Sequence, residues 1–352
     1  MKIYDYNVLG VMSGTSLDGV DLAHIHFTHG KMWDFEIIHA VTIPYPDDWK
    51  NKLQEAIHFN SKDLEELNER YTGYLAGIIK EFLKKHEITK LDAVCSHGHT
   101  IKHEPENKYT LQIGNLPQLA SLLNLNVVCD FRVQDVDLGG QGAPLVPVGD
   151  ELLFPEYDYC LNLGGFANIS TVKEGIRIAY DICPVNIVLN KLTEKLGFPY
   201  DDEGKIAASG SLIPKLLKSL NELPYYTKLP PKSLGLEWVT ATVFPLIENS
   251  GYKIGDLLCT FTEHVAMQLA ENFKEGASVL STGGGTFNSY LLKRVAHYRN
   301  IEIVIPTKEV IEYKEALIFG LLGVLKLRGE INCLRSVTGA KKDHSSGIIY
   351  PV

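Results

Sequence analysis

The sequence predicts an α/β protein in which one arrangement of strands occurs twice. Segments with the composition of buried strands alternate with segments whose apolar residues follow helical spacing, and this alternation is typical of α/β folds. A strand, a glycine-containing loop and a returning strand are predicted near the N-terminus, and the same succession is predicted again near residue 160. We therefore expect two halves of similar topology.

Each half is predicted to open with this hairpin and to continue with helices and further strands. In the first half the predicted strands are 6–11, 20–27, 91–96 and 125–129, and the predicted helices are 64–85 and 116–123. In the second half the predicted strands are 157–163, 168–172, 278–282 and 301–305, and the predicted helices are 288–298 and 313–327. We expect domains at 1–155 and 156–352. An alternative for the last helix is that it packs back on the first domain.

Composition and charge exclude several classes of protein. The chain has 352 residues with 34 Lys and Arg against 43 Asp and Glu, a formal charge of −9, which disfavours nucleic-acid and anionic-membrane partners. The apolar stretch 316–325 is about half of a membrane-spanning helix, and the N-terminus does not resemble a secretion signal. The six cysteines never form a CxxC pair, so we expect buried thiols in a cytoplasmic protein.

Three loops have the residues needed to bind phosphate. The first, VMSGTSLDGVD at 11–21, has glycines at Walker-A spacing, but Val20 and Asp21 occupy the positions of the required Lys and Ser/Thr. Its hydroxyl donors are Ser13, Thr15 and Ser16, and the carboxylates that could hold Mg²⁺, directly or through water, are Asp18 and Asp21. A simple hairpin turn would favour the same residue types.

The other two loops contain consecutive glycines. LNLGGFANIS at 161–170 includes Gly164 and Gly165, and LSTGGGTFN at 280–288 joins a predicted strand to a predicted helix through Gly283, Gly284 and Gly285. Glycines allow backbone amides to approach a phosphate closely. Neither loop has the GxGxxG dinucleotide pattern, yet three such loops in an α/β protein favour a nucleotide.

Several polar side chains are candidates for chemistry. Asp181, near a predicted strand end and beside a predicted helix start, could be a general base or a helix N-cap. His97 and His99 form an HxH pair that would share one face of a strand, so that a metal site is an alternative to hydrogen-bonding histidines. Asp130 and Arg132 follow a strand and suit a ligand bearing hydroxyls and a carboxylate, although they could simply pair with each other.

Distinctive segments throughout the chain resemble the anhydro-N-acetylmuramic acid kinase family. The segments are VMSGTSLDGVD, SHGHTIKHEP, LQIG, DFR followed by DLGGQGAPLVP, LNLGGFANIS, PKSLG, TGGGTFN and SVTGA, which run from residue 11 to 340 in family order. The resemblance implies a two-lobed fold of the sugar kinase, heat-shock ATPase and actin type, with duplicated RNase H-like domains around a central cleft. It also implies that ATP and water convert 1,6-anhydro-N-acetylmuramic acid to N-acetylmuramic acid 6-phosphate, and it suggests a homodimer.

The resemblance assigns roles to residues of this chain. Asp181 corresponds to the family's base, and Glu315 matches a family glutamate near the reacting centre. The segment that corresponds to the ATP phosphate loop consists of Gly14, Thr15, Ser16, Leu17, Asp18, Gly19, Val20 and Asp21. Gly283 to Gly285 would lie near the nucleotide, and the sugar-side candidates are Gly98, His99, Asp130 and Arg132.

The chain departs from the family pattern at two places. Asp181 begins DICPVN where DTGPGN is usual, so that both glycines are missing, and Lys314 precedes Glu315 where an acidic or neutral residue is more usual. Three alternatives remain on sequence grounds: a kinase of this fold for another sugar, a catalytically silent nucleotide-binding module, and a metal hydrolase that uses His97 and His99.

Overall fold

The computed structural model describes residues 3–14, 17–248 and 251–352. The strands are β1 (Tyr4–Ser13), β2 (Gly19–His29), β3 (Trp33–Pro44), β4 (Ala93–Glu104), β5 (Tyr109–Ile113), β6 (Val127–Cys129), β7 (Tyr159–Leu163), β8 (Phe166–Lys173), β9 (Ile176–Pro184), β10 (Ser278–Thr282), β11 (Glu302–Val304) and β12 (Ile348–Tyr350).

Helices connect most of these strands, as the alternating pattern predicts. They are α1 (Asp47–Glu55), α2 (Ser61–Lys85), α3 (Gln118–Leu123), α4 (Val133–Asp137), α5 (Val146–Leu153), α6 (Asn186–Glu194), α7 (Lys205–Ser209), α8 (Pro214–Asn221), α9 (Leu236–Trp238), α10 (Phe244–Glu248), α11 (Ile254–Asn272), α12 (Ser289–Tyr298), α13 (Lys308–Leu327) and α14 (Arg335–Thr338). Val239–Val243 forms a π-helical turn between α9 and α10.

The chain divides into two compact units. Unit 1 comprises Met1–Leu153 and Tyr313–Val352, and unit 2 comprises Phe154–Glu312. The first division lies close to the predicted boundary at residue 155. The second does not match the expected domain 156–352, because residues 313–352 group with the first half, as we considered for the last helix.

Close backbone packing explains why α13, from Tyr313 onward, groups with unit 1. A side chain at Gly10 of β1 would lie 2.0 Å from the Ala316 carbonyl oxygen, and one at Gly323 would lie 2.1 Å from the Cys95 sulfur. Glycine at these two positions therefore lets the helix lie directly on the sheet. After α13 the chain adds β12 to the edge of the same sheet, antiparallel to β6.

The two units share one strand order. The sheet of unit 1 has the order β12-β6-β4-β1-β2-β3, with β5 paired to β4, and the sheet of unit 2 has the order β11-β10-β7-β8-β9. In each unit the first three strands are antiparallel neighbours, and two later strands run parallel to the first, namely β4 and β6 in unit 1 and β10 and β11 in unit 2. This repetition confirms the prediction of an α/β fold built from two similar halves.

Each unit has its own hydrophobic core. In unit 1, Leu9 and Val11 of β1 pack with Leu75 and Ile79 of α2. In unit 2, α11 is buried along most of its length and contributes Phe261 and other apolar side chains to the core against the sheet. All six cysteines are buried free thiols, as predicted. Among the described residues, no helix combines the length and apolar composition needed to cross a bilayer.

Candidate active site

In unit 1, the first predicted phosphate loop lies between β1 and β2. Leu17 has a left-handed backbone with φ 61°, and its amide donates to the Gly14 carbonyl oxygen at 3.3 Å. Asp18 is exposed, whereas the Val20 side chain is fully buried in the core. Gly19 lies against the backbone of Ile43 in β3, so strand packing already requires a glycine there. Thr15 and Ser16 lie outside the described residues.

Asp21 and Glu315 form an acidic pair on unit 1. Asp21 lies on β2, and its carboxylate accepts a hydrogen bond from the Thr42 hydroxyl at 2.6 Å. Glu315 lies on α13 and its side chain keeps an exposed surface. Desolvation of its carboxyl group raises the pKa of Glu315; Arg132 opposes the increase and Asp21 adds to it. Two carboxylates that repel each other provide hard oxygen ligands and negative charge for a divalent cation.

The two histidines of β4 contact different surroundings. The ring of His97 contacts Phe319 of α13, whereas the ring of His99 contacts Tyr45 and Tyr71. Gly98 between them has φ +74°, a conformation that breaks the regular alternation of a strand. The expectation that both rings share one strand face is therefore wrong.

Both histidines are held by hydrogen bonds rather than arranged as a metal pair. His97 Nε2 accepts from Arg132 Nε at 2.9 Å, and its Nδ1 lies 2.9 Å from the Gly98 carbonyl oxygen. His99 Nδ1 lies 2.8 Å from the Ser13 hydroxyl oxygen, which in turn contacts the Tyr45 hydroxyl at 2.6 Å. Burial lowers the pKa of His99 to about 4, so this ring is neutral near pH 7.

Asp130 and Arg132 flank the buried Phe131 after β6. Asp130 has φ 58°, and desolvation raises the pKa of its carboxyl group. Arg132 Nη1 donates to the Gly142 carbonyl oxygen at 2.6 Å, and burial lowers the pKa of this guanidinium to about 10. Nε bonds His97 and Nη1 bonds Gly142, and within the described part of the chain Nη2 has no hydrogen bond, so a ligand could use this donor.

In unit 2, Asp181 belongs to a row of polar residues that crosses the sheet. Asp181 of β9 pairs with Asn168 of β8, Asn168 pairs with Asn162 of β7, and Asn162 pairs with Thr282 of β10. Residues directly opposite one another in a sheet share a face. Asn162 and Asn168 are not among the candidates that the sequence predicts, although each stands three residues from Gly165, a spacing that places them opposite each other in a tight hairpin.

The Asp181 carboxylate is half-buried and firmly positioned. Its Oδ2 accepts from the Leu234 amide at 2.8 Å, and its backbone carbonyl accepts from the Tyr225 hydroxyl at 2.7 Å. Burial raises the pKa of Asp181, and the Leu234 amide opposes that increase. The N-cap alternative is wrong, because the cap residue of α6 is Val185 and no side chain of the described residues makes a cap hydrogen bond to this helix.

The glycine loops of unit 2 adjoin the polar row. A side chain at Gly283 would lie 2.5 Å from Asn162 Oδ1, and one at Gly285 would lie 2.9 Å from the Leu163 carbonyl oxygen. At Gly284 a side chain would meet none of the described residues within 4 Å. Gly164 and Gly165 accept through their carbonyl oxygens from the amides of Asn186 and Val185 at 3.3 and 2.8 Å, respectively. The start of α6 is thus bonded to this loop.

A family model described as anhydro-N-acetylmuramic acid kinase matches residues 6–352 of the chain. The chain belongs to this family. A relative of that description from Sulfurimonas denitrificans is 32% identical over 366 residues, which cover 97% of this chain and 98% of the relative. A relative from Actinobacillus pleuropneumoniae serotype 5b is 34% identical, with the same two shares covered.

Membership of the anhydro-N-acetylmuramic acid kinase family confirms the resemblance seen in the sequence. The chain is an ATP-dependent kinase, as predicted. Among solved structures it is similar to component A of (R)-2-hydroxyglutaryl-CoA dehydratase from Acidaminococcus fermentans, with 14% identity, a TM-score of 0.46, and 92% and 99% of the two chains covered. The fold assignment rests on the strand order that the two units share.

Proposed function

We propose that this kinase opens the internal ring of 1,6-anhydro-N-acetylmuramic acid with water and transfers the terminal phosphoryl group of ATP to the freed O6. The products are N-acetylmuramic acid 6-phosphate and ADP, a reaction that recycles cell-wall sugars. Family membership supports the substrate. The observation that carries the mechanism is the half-buried carboxylate of Asp181, positioned in a polar row beside two glycine loops.

Asp181 is the general base in this proposal. Its Oδ2 is occupied by the Leu234 amide, and we assign Oδ1 to the water that attacks the anomeric carbon. The carboxylate takes one proton from this water as the new C1–O bond forms and the C1–O6 bond breaks. Desolvation raises the pKa of Asp181, so its carboxylate is a stronger base than an ordinary aspartate.

The phosphoryl acceptor and the nucleotide need charge neutralisation and alignment. We assign the ATP phosphates to the loop from Gly14 to Asp21 and to Gly164, Gly165 and Gly283 to Gly285, with Gly284 leaving open space for close approach. Asp21, with Asp18 through water, would hold Mg²⁺, which neutralises phosphate charge when bound. Glu315 repels Asp21 and would therefore be drawn to the same cation, near the reacting group.

The sugar is assigned to the remaining candidates of unit 1. Arg132 is held by His97 and Gly142, and its Nη2 could pair with the carboxylate of the lactyl group. Neutral His99, Gly98 and Asp130 would bond sugar hydroxyl and amide groups. We further propose that the protein acts as a homodimer and in the cytoplasm, where ATP is available.

The product formed in ¹⁸O-labelled water tests the reaction. Hydrolysis at the anomeric carbon puts the label in the C1 hydroxyl and none in the phosphate. Label in inorganic phosphate without sugar phosphate would contradict the proposal and indicate a plain ATPase. A phosphorylated product that retains the anhydro ring would indicate a kinase for another position or sugar.

A variant of Asp181 tests the assigned base. We expect Asp181→Asn to bind ATP normally and to lose turnover by about 10³-fold, within the range for a lost general base. Glu174→Gln, at the exposed turn between β8 and β9, is the matched control and should keep full activity. If Asp181→Asn turned over at a near-normal rate, the assignment of the base would be wrong.

A further inference from the structure

Three metal-binding side chains meet inside unit 1, in a cluster that the proposed reaction does not use. They are Asp135 of α4, Cys333 and His344, and each is at most 5% exposed. Cys333 and His344 come together because their backbones exchange both hydrogen bonds at 3.1 Å across an antiparallel bridge. The potential ligand atoms of all three side chains lie within 4.8 Å of one another.

The orientation of His344 calls for a positive charge in this cluster. His344 Nδ1 lies 3.1 Å from the Lys342 carbonyl oxygen, and a carbonyl can only accept, so Nδ1 carries the ring proton. His344 Nε2 is buried, has no hydrogen-bond partner among the described residues, and lies 3.6 Å from Asp135 Oδ1. In a neutral ring, a nitrogen lone pair would therefore face a carboxylate oxygen across this gap.

The Asp135 carboxylate is already fixed in position. Its Oδ2 accepts from the Gly142 amide at 2.7 Å, and its Oδ1 accepts from the Thr338 hydroxyl at 2.7 Å. The Cys333 thiol donates to the same Oδ1 at 3.0 Å. Supporting hydrogen bonds to a carboxylate, and a bond from the second ring nitrogen of a histidine to a carbonyl, are typical of the surroundings of metal ligands.

We propose that Asp135, Cys333 and His344 bind a zinc ion that has a structural role. One oxygen, one sulfur and one nitrogen ligand suit Zn²⁺, with water or the Thr338 hydroxyl in the fourth position. On binding, the Cys333 thiol releases its proton to solvent and its sulfur bonds to the metal. The two charges of the ion are then balanced by one thiolate and one carboxylate, so the buried site is neutral.

The zinc ion would tie the C-terminal segment to the loop that holds Arg132. Asp135 bonds the Gly142 amide, and the Gly142 carbonyl oxygen accepts from Arg132 Nη1 at 2.6 Å. Cys333 and His344 belong to the segment that follows α13. The three ligands are distant in sequence and form none of the familiar spacings, so a pattern search in the sequence does not find this site.

Cobalt replaces zinc as a coloured probe in the test of this site. The whole protein, reduced and stripped with EDTA, is titrated with Co²⁺ while visible absorption and proton release are recorded. We expect one ion per chain, a thiolate-to-cobalt charge-transfer band and displacement by Zn²⁺. Cys333→Ser should abolish the band, and His344→Gln should weaken binding by at least about 10-fold. Cys259→Ser, which removes a buried thiol of unit 2, should change neither the charge-transfer band nor the affinity for cobalt.

Two results would overturn the zinc proposal. The first is a wild-type protein that binds no cobalt with a thiolate band, together with a melting temperature that neither EDTA nor Zn²⁺ changes; His344 and Asp135 would then form a contact without a metal. The second is a charge-transfer band that survives in Cys333→Ser. If Cys333→Ser does not fold, the wild-type spectrum and the affinity of His344→Gln still decide the outcome.

Discussion

At the scale of single residues, desolvation of two carboxyl groups determines how activity should depend on pH. Desolvation raises the pKa of both the half-buried Asp181 and the more exposed Glu315. A general base must be deprotonated, so activity is lost as pH falls through the pKa of Asp181. Because this pKa is raised, we expect the loss at a higher pH than for an ordinary aspartate, whose pKa is 3.8.

The pH dependence of kcat at saturating ATP and sugar checks this prediction. Protein incubated at each acidic pH and returned to neutral pH must recover its activity, which separates titration of the base from unfolding. The kcat–pH profile of Glu315→Gln, measured in the same way, should still show the acidic decrease that we assign to protonation of Asp181. A profile that remains flat down to the ordinary aspartate range would contradict the raised pKa.

The sequence identifies a site residue well when the residue belongs to a recognisable motif. It identifies a residue poorly when only the pairing of neighbouring strands brings that residue to the site. Asp181 and the glycines follow from their sequence surroundings. Asn162 and Asn168 join the site only through pairing across three strands, which a single sequence does not specify. The HxH expectation was wrong because the positive φ of Gly98 depends on the strand packing around it.

At the scale of secondary-structure elements, a buried ion pair anchors α13 to α5. Lys314 Nζ lies 2.7 Å from Asp150 Oδ1, and the two side chains are 8% and 4% exposed. Removing one partner deprives the other buried charge of this ion pair. We expect Lys314→Met to lower the free energy of unfolding by about 3 kcal/mol, as measured by chemical denaturation.

An exposed ion pair on the same helix is the control. Lys308 Nζ lies 3.5 Å from Glu312 Oε1, and these side chains are 72% and 42% exposed. Lys308→Met should change stability by no more than about 0.5 kcal/mol. The double variant Lys314→Met with Asp150→Leu should recover most of the loss. Equal effects of Lys314→Met and Lys308→Met would show that the buried pair has no special importance.

Central strands are more predictable than edge strands. The predicted strands and helices correspond to observed ones, but β3, β5, β9, β12 and the buried helix α11 have no predicted counterpart. β3, β9 and β12 are end strands of their sheets and β5 pairs only with β4, and β3 alternates between exposed and half-buried residues along most of its length. Edge strands bury less surface and have a weaker apolar pattern. The grouping of α13 with unit 1 likewise depends on its close contact with Gly10, which is not a local property.

At the scale of the whole molecule, duplication was predictable from two similar hairpins, whereas the exact division of the chain was not. The strand order recurs in both units, and unit 1 is assembled from the two ends of the chain. Each unit also buries histidines that must remain neutral. Burial lowers the pKa of His99 in unit 1 to about 4 and that of His264 in unit 2 to about 3.

These histidines make both units sensitive to acid. In the unfolded chain each histidine takes up a proton near the ordinary histidine value of 6.5, whereas in the folded chain it does so only near pH 4 or pH 3. The unfolded state therefore binds more protons across this interval, and stability falls as pH decreases through it. Each histidine should contribute about 1.4 kcal/mol per pH unit to that fall.

A variant of His264 allows the contribution of one histidine to the acid sensitivity to be measured in unit 2. It is fully buried, with Nδ1 2.6 Å from Asn221 Oδ1 and Nε2 2.9 Å from the Tyr226 hydroxyl oxygen. With Trp33 and Trp49 replaced by Phe, the remaining Trp238 reports urea unfolding of unit 2 by fluorescence, since its ring packs on Tyr226. In this background, His264→Gln should reduce the slope of stability against pH between 6 and 4 by about 1.4 kcal/mol per unit. The control is His58→Gln, at an exposed position, which should leave the slope of stability against pH unchanged. If His264→Gln also keeps the original slope, His264 does not cause the acid sensitivity.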